Sequence, residues 1–368
     1  MTAACRSRVT RAPPCAATLA RVPSALAELP FLQALRRVAD AGAGRVELQT
    51  LCEIDDGRQR HPVLALTLGS AAPDAPVLGL FGGVHGLERI GAEVALACLQ
   101  SLVMRLRWDV GLQRLLGTLR VVAVPLVNPG GLARGTRANP NGVDLMRNAP
   151  VEATERVPFL IGGQRLSAAL PWYRGPAGAP MEPESAALCA LVERELLARP
   201  FSIAVDCHSG FGTRDRVWFP YAHTLRPLAQ LAELAAFKRI FDESLPHHRY
   251  VLEPQSHQYL THGDLWDHLV LRAQARADAP TFLPLTLEMG SWLWVKKNPR
   301  QLFTRHGIFN PLIEHRQQRV LRRHVAWLDF VMRAAASHAQ WVPADAAARA
   351  ALHEEALGLW YRGEARRG

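Results

Sequence analysis

The sequence predicts an α/β domain of three layers, with helices on both sides of a mixed, mostly parallel central sheet. Three observations carry this expectation. From about residue 45 to 335, apolar runs of strand length alternate with segments whose apolar residues recur at helical spacing. The runs are close to continuous rather than alternating, as in strands covered on both faces. Finally, His85, Asn128, His208 and Glu288 each stand at or just past the end of such a run. Ligands collect at that edge of an open α/β sheet.

The elements follow in order. Strand-like runs are "RVELQTLCEI", "HPVLALTLGS", "PVLGLFGGVH", "TLRVVAVPLVNP", "FSIAVDCHSG", "DRVWFPYA" and "TFLPLTLEMG". Helical patterns lie between several of them: "ERIGAEVALACLQSLVMRL", "EPESAALCALVERELLA", "LRPLAQLAELAAFKRIFDESL" and "GDLWDHLVLRAQAR". In the second of these the acids of "MEPES" suit a helix N-terminus. A last long helix, "NPLIEHRQQRVLRRHVAWLDFVMRAAA", offers Leu312, Val320, Leu321, Val325, Leu328 and Val331 as a core face, with arginines opposite. The expected divisions are a tail and short helix over 1–44, a catalytic domain over 45–335, and an appended surface helix over 336–368.

Composition narrows the function classes. The 368 residues are 49% hydrophobic and 21% charged, which are ordinary globular values. No run reaches the ~18 consecutive apolar residues of a membrane span. Arg21 and the early prolines interrupt any apolar stretch near the start, so a secretory signal is not expected. Six scattered cysteines without a CxxC pair argue against a disulfide framework and point to a reducing, cytoplasmic setting. The net charge of +10 is carried almost wholly by arginine, with Lys238, Lys296 and Lys297 the only lysines. These charges are dispersed and no nucleic-acid-reading motif accompanies them, so neither nucleic acid nor membrane is an expected partner.

One constellation carries chemistry. "HGLE" places His85 and Glu88 three residues apart directly after an apolar run, and "DCHSG" places His208 at the end of another. Two histidines and a carboxylate are the donors of a catalytic zinc site with one position left open. Asp206, two residues before His208 and on the same side of a strand, is placed to support its ring. Taken singly, each of these residues could equally be a satisfied polar group in a loop or at a strand end. Glu288, in "PLTLEMG", is a carboxylate within an apolar strand. It is either paired with an arginine or poised as an acid/base group whose proton affinity burial raises. Arg134, Arg137 and Arg147 lie in the glycine-rich loop "NPGGLARGTRANPNGVDLMRNAP" and offer forks for a carboxylate, or simply a solvated basic loop.

In family order, "HGLE", "NPGG", "GVDLMRN", "DCHSG", "QYLTHGDLWD" and "TLEMG" resemble the motifs of zinc metallocarboxypeptidases of the carboxypeptidase A type. The resemblance covers roughly 45–330. It implies a carboxypeptidase-like fold and one zinc ion on His85, Glu88 and His208. It implies Glu288 as the general base and acid, and Arg147 as the clamp on a terminal carboxylate with Asn148 beside it. It implies Tyr259 as a mobile cap and Trp266 at the position that lines the specificity pocket. Arg134 or Arg137 would polarise the scissile carbonyl. Arg137 fits the compressed loop of short relatives better. Met146 departs from the pattern: the family has asparagine there, and a thioether cannot donate a hydrogen bond to a carboxylate.

Three functions are therefore weighed. The first is metallocarboxypeptidase action on a short peptide. The second is deacylation of a small N-acyl amino acid, because "GGVHGLE" and "TLEMG" also resemble succinylglutamate desuccinylases and aspartoacylases. The third is a catalytically silent metal- or peptide-binding protein, for which Met146 speaks. The aromatic residues Trp292 and Trp294 either line the cleft or pack its rim, His262 lies near Tyr259, and His247 and His248 read as a solvated loop pair.

Overall fold

The computed structural model describes residues 28–278 and 280–362. The expected tail before residue 28 lies outside the described residues. All seven predicted strands form: β1 (Val46–Asp55), β2 (Arg60–Gly69), β3 (Val77–Gly82), β4 (Arg120–Val124), β5 (Phe201–Ser209), β6 (Arg216–Phe219) and β8 (Thr281–Met289). One more, β7 (Val251–Pro254), was not expected. It has four residues and ends on a proline, which an edge position tolerates. The helices are α1 (Pro30–Ala41), α2 (Arg89–Arg105), α3 (Val110–Leu116), α4 (Pro129–Arg134), α5 (Pro183–Glu195), α6 (Leu231–Ser244), α7 (Leu265–Gln274), α8 (Trp292–Lys297), α9 (Glu314–Ala336) and α10 (Ala346–Ala356). None among the described residues is long and apolar enough to cross a membrane.

The sheet runs β1-β2-β4-β3-β5-β8-β6-β7. The pairs β4–β3, β3–β5, β5–β8 and β6–β7 are parallel, and β1–β2, β2–β4 and β8–β6 are antiparallel. Every residue of β3 and β5 is buried, so both faces of the sheet centre are covered. On the helical layers, α2 and α9 pack together against β3 and β5, while α7 packs on β8 and against α5. This explains the continuous apolar runs: a central strand with helices on either side has no wet face.

Helix α9 corrects one detail of the expected core face. It starts at Glu314, and Leu312 before it is 45% exposed. The buried stripe instead includes His324 and Trp327. The segment after α9 is not purely a surface appendage. Helix α10 packs on α6, Ala356 is fully buried, and Trp360 meets Phe219 edge-on at 4.9 Å. Its indole N–H donates to the Leu252 carbonyl at 3.0 Å, covering the end of the edge strand β7.

Candidate active site

The β3–α2 connection sets the first two residues. The chain leaves β3 at Gly82, turns, and enters α2 at Arg89, with the Glu88 amide donating to the His85 carbonyl at 3.0 Å. Gly91 lets this helix start cross directly over β5: a Cβ there would lie 2.1 Å from the Cys207 carbonyl oxygen. Any side chain at 91 would lift Glu88 away from His208. Asn310 ties the turn from the other side, accepting from the Ile90 amide at 2.9 Å and donating to the Leu87 carbonyl at 2.8 Å. No pattern in the sequence marked Asn310.

The third and fourth residues come from neighbouring strands. β5 and β8 run parallel in register, with His208 opposite Glu288. Adjacent strands at equal height point such a pair to the same face. His208 Nε2 lies 2.7 Å from Asp206 Oδ2, which fixes the ring and leaves Nδ1 3.3 Å from Glu88 Oε2. The same Asp206 oxygen accepts from the Trp266 indole at 2.9 Å. Trp266 therefore does not line a specificity pocket. It belongs to α7, packs on Phe81 with ring centroids 5.2 Å apart, and holds the carboxylate that holds His208. A phenylalanine at 266 keeps the packing and drops the donor. Trp266→Phe is expected to weaken zinc retention by about 10-fold, since outer partners of a ligating histidine carry 10–100-fold in affinity; competition against a chelator measures it.

Charges in this core are strongly shaped by burial and by each other. Burial opposes protonation of His208, but the Asp206 and Glu88 carboxylates outweigh it and hold the ring well above its usual range. Burial, helped by the Arg137 charge, pushes His85 well below its usual value. Burial disfavours the Glu88 anion, yet the histidines and Arg137 around it keep the carboxyl below the normal range. Glu288 behaves oppositely: burial and the nearby Glu88 charge push it up to about 8. One of its oxygens accepts from the Phe211 amide at 2.9 Å. Two carboxylates in one site are thus driven apart in proton affinity, a pattern that lets one stay an anion while the other can exchange a proton.

The three arginines part company. Arg137 reaches Glu88 Oε1 at 3.1 Å, His85 Nε2 at 2.7 Å and Asp144 Oδ2 at 2.9 Å. Asp144, buried and unassigned from sequence, aims this guanidinium; an acid three residues before Arg147 in "GVDLMRN" was the available signal. Arg134 is spent elsewhere, donating to the carbonyls of Asp56 and Pro140. Arg147 is 3% exposed, and its guanidinium meets the carbonyls of Met146 and Ile161 at 3.3 and 3.4 Å and the side chain of Tyr259. Among the described residues no carboxylate lies within ion-pairing distance of it. Gly263 brings the Tyr259 segment against it, since a Cβ there would lie 1.9 Å from the Arg147 carbonyl oxygen.

These groups open into one cleft of about 720 Å³. His85, Glu88, Arg137, Met146, Arg147, His208, Tyr259 and Glu288 all line it. Arg134, Asn148 and Trp266 do not. Asn148 instead braces two loops, donating to the Arg174 carbonyl at 3.1 Å and accepting from the Glu182 amide at 2.6 Å. Tyr259 is half-buried beside Phe211 and Trp218, and burial raises its hydroxyl above the ordinary value. Trp292 lines the cleft and Trp294 is buried. His262 turns from the cleft to the Ala153 amide at 3.0 Å, and Asn128 caps α4. His248 is not simply solvated: it stacks on Phe241 at 3.9 Å and bonds to Asp242.

The donors fit a zinc ion. His85, Glu88 and His208 each offer an atom within 4.8 Å of the others, all three residues are buried, and the ring centroids of the histidines are 5.1 Å apart. His85 Nδ1 is buried without a hydrogen-bond partner, an unsatisfied polar atom that a bound cation would satisfy. Nitrogen and carboxylate donors in this number are what a catalytic zinc takes.

Comparison with known proteins agrees with this arrangement. A stretch of 121 residues is 33% identical to carboxypeptidase E of Caenorhabditis elegans, covering 28% of this chain and 26% of that protein. The chain thus spans about a quarter of that relative's length. Among solved structures, thrombin-activatable fibrinolysis inhibitor superposes with a TM-score of 0.59 at 18% identity, over 83% of this chain and 71% of the other. Carboxypeptidase A from Helicoverpa armigera gives 0.52 at 18% identity, over 80% and 71%. At such identities these structures establish the fold. The zinc carboxypeptidase family model matches residues 32–282, more than half of the sequence, and the chain belongs to that family.

Proposed function

We propose that this protein removes a C-terminal residue from short peptides by zinc-assisted hydrolysis, with Glu288 as the proton-transfer group. One observation carries the reading: a single cleft joins a three-donor metal set, a buried carboxylate of high proton affinity and the buried guanidinium of Arg147, which has no carboxylate partner among the described residues. Glu288 lies just beyond the residues matched by the family model, so its role rests on its register with His208.

One zinc ion held by His85, Glu88 and His208 would polarise the scissile carbonyl and acidify the attacking water. Glu288 takes the proton from that water and returns it to the leaving amine, a task suited to a buried carboxyl near neutral proton affinity. Its bond from the Phe211 amide fixes the carboxylate while one oxygen stays available. Arg137, held by Asp144, donates to the oxyanion that forms. Arg147 pairs with the substrate's terminal carboxylate, and Tyr259 closes over it and keeps water out. Beyond the scissile bond, Pro158, Ile161 and Trp172 face the cleft together with Trp292, Ile308 and Phe309. Those apolar walls suit a peptide with apolar side chains better than a small N-acyl amino acid. The cysteines at 52, 98, 189 and 207 are unpaired, which supports a reducing, cytoplasmic setting.

The test is a substrate panel on zinc-loaded protein: short apolar peptides with free C-termini, their C-terminal amides, N-acetyl-aspartate and N-succinyl-glutamate. The free-acid peptides are expected to turn over fastest. Preference for either N-acyl amino acid would overturn the reading in favour of a deacylase, and no turnover on the whole panel would favour a silent binding protein.

A further inference from the structure

We propose that a second cavity, behind the strand that carries Glu288, is a binding site for a small polyanion of the multiply phosphorylated kind. The cavity measures about 630 Å³ and is lined by Arg214, Arg249, Lys296 and Arg323, with Asp215 and Tyr250. Four cationic side chains thus come from four separate pieces of chain: the loop before β6, the loop before β7, helix α8 and helix α9. The arginine-rich composition alone does not require such convergence, because the 43 basic residues are dispersed along the sequence.

The charge is unbalanced where it converges. Among the described residues Asp215 is the only acid lining the cavity, and both its oxygens are engaged. Oδ1 accepts from the Gly290 amide at 3.0 Å, and Oδ2 accepts from Arg323 at 2.6 Å. Arg214, Arg249 and Lys296 have no ion pair among the described residues. Like charges gathered without partners repel, and a concave wall focuses their field more than a convex surface does. A ligand carrying several negative charges relieves that repulsion, and two guanidinium forks match phosphate oxygens bidentately. Tyr250, Val251 and Leu293 complete the lining, and a volume of about 630 Å³ suits a small ion.

The frame is firm. Gly290 packs so tightly on the Arg214 backbone that a Cβ there would lie 2.6 Å from the Arg214 nitrogen. The Tyr250 hydroxyl lies 2.9 Å from His324 Nδ1 beneath the cavity. Gly290, which packs on the frame of the site, is two residues from Glu288, yet the cavity shares no lining residue with the cleft.

Isothermal titration of the zinc-loaded full chain with inorganic tripolyphosphate at fixed ionic strength tests this. One saturable site is expected. The double variant Arg214→Gln/Arg249→Gln should bind at least about tenfold more weakly, as each loses a charge-assisted donor. The remote pair Arg107→Gln/Arg114→Gln, with the same change in net charge, should bind like the parent. All four positions are exposed and have no ion pair among the described residues, and equal melting temperatures will show that the variants fold. Equal weakening in both pairs would mean bulk charge attraction. Unchanged binding in the first pair would mean the anion acts elsewhere, for instance by stripping the metal, which zinc content reads directly. Either result, or no saturable binding by the parent, overturns the proposal. None of them bears on whether the protein cleaves peptides.

Discussion

Replacing Glu288 by glutamine is expected to lower kcat by about 10²–10⁴-fold, the range that positioned acid/base groups contribute, while zinc content and KM stay near those of the parent. The substitution is nearly isosteric. A glutamine oxygen can still accept from the Phe211 amide, now 2.9 Å from the Glu288 carboxylate, so the local frame survives. What disappears is the ability to take up a proton and hand it on. Burial and Glu88 already push that proton affinity up to about 8, so the parent residue sits where both transfers are feasible near neutral pH. None of the three metal donors is altered. A variant that turns over within about threefold of the parent would remove Glu288 from the reaction, because no positioned proton-transfer group is worth so little.

The second large effect is expected at Arg147. Arg147→Met should reduce kcat/KM for peptides with a free C-terminal carboxylate by about 30- to 4,000-fold, since breaking a buried, hydrogen-bonded charge pair costs about 2–5 kcal/mol. Turnover of C-terminally amidated peptides should change little, because they offer no anion to pair. The guanidinium is 3% exposed and meets two carbonyls at long range and the neutral Tyr259 side chain, so among the described residues no anion balances its charge. Met146 sits beside it in the cleft and has no donor to add. Met146→Asn should therefore move the same readout the opposite way, tightening free-acid peptides by about tenfold through one further charge-assisted hydrogen bond. If Arg147→Met affects free-acid and amidated peptides equally, the arginine supports the fold of the loop rather than the carboxylate.

The parts of this site that were legible in the sequence are those tied to strand ends. His85, His208 and Glu288 follow apolar runs long enough to identify as buried strands, and a sheet brings the ends of such strands together whatever the loops do. Glu88 came with His85 because one turn joins them. The arginine loop was legible only in composition. Three arginines within fourteen residues gave no means of telling that Arg134 would bind carbonyls near the β1–β2 hairpin while Arg137 would turn inward on Asp144. Trp266 shows the opposite failure. Counting along the loop placed it in a pocket, but it lies in the first turn of α7, and the helix turns it under β5 toward Asp206. Edge strand β7 was missed because four residues ending in proline give no periodic signal. Asn310, more than two hundred residues from the turn it braces, left no local trace at all.

The proposed metal centre is two imidazoles and one carboxylate, from the β3–α2 turn and from β5, around a single ion. Anomalous diffraction at the zinc absorption edge, on crystals of protein dialysed against equimolar zinc, tests it most directly. One peak is expected, bounded by the side chains of His85, Glu88 and His208. A peak located elsewhere, or protein that retains no zinc after dialysis, would contradict the account.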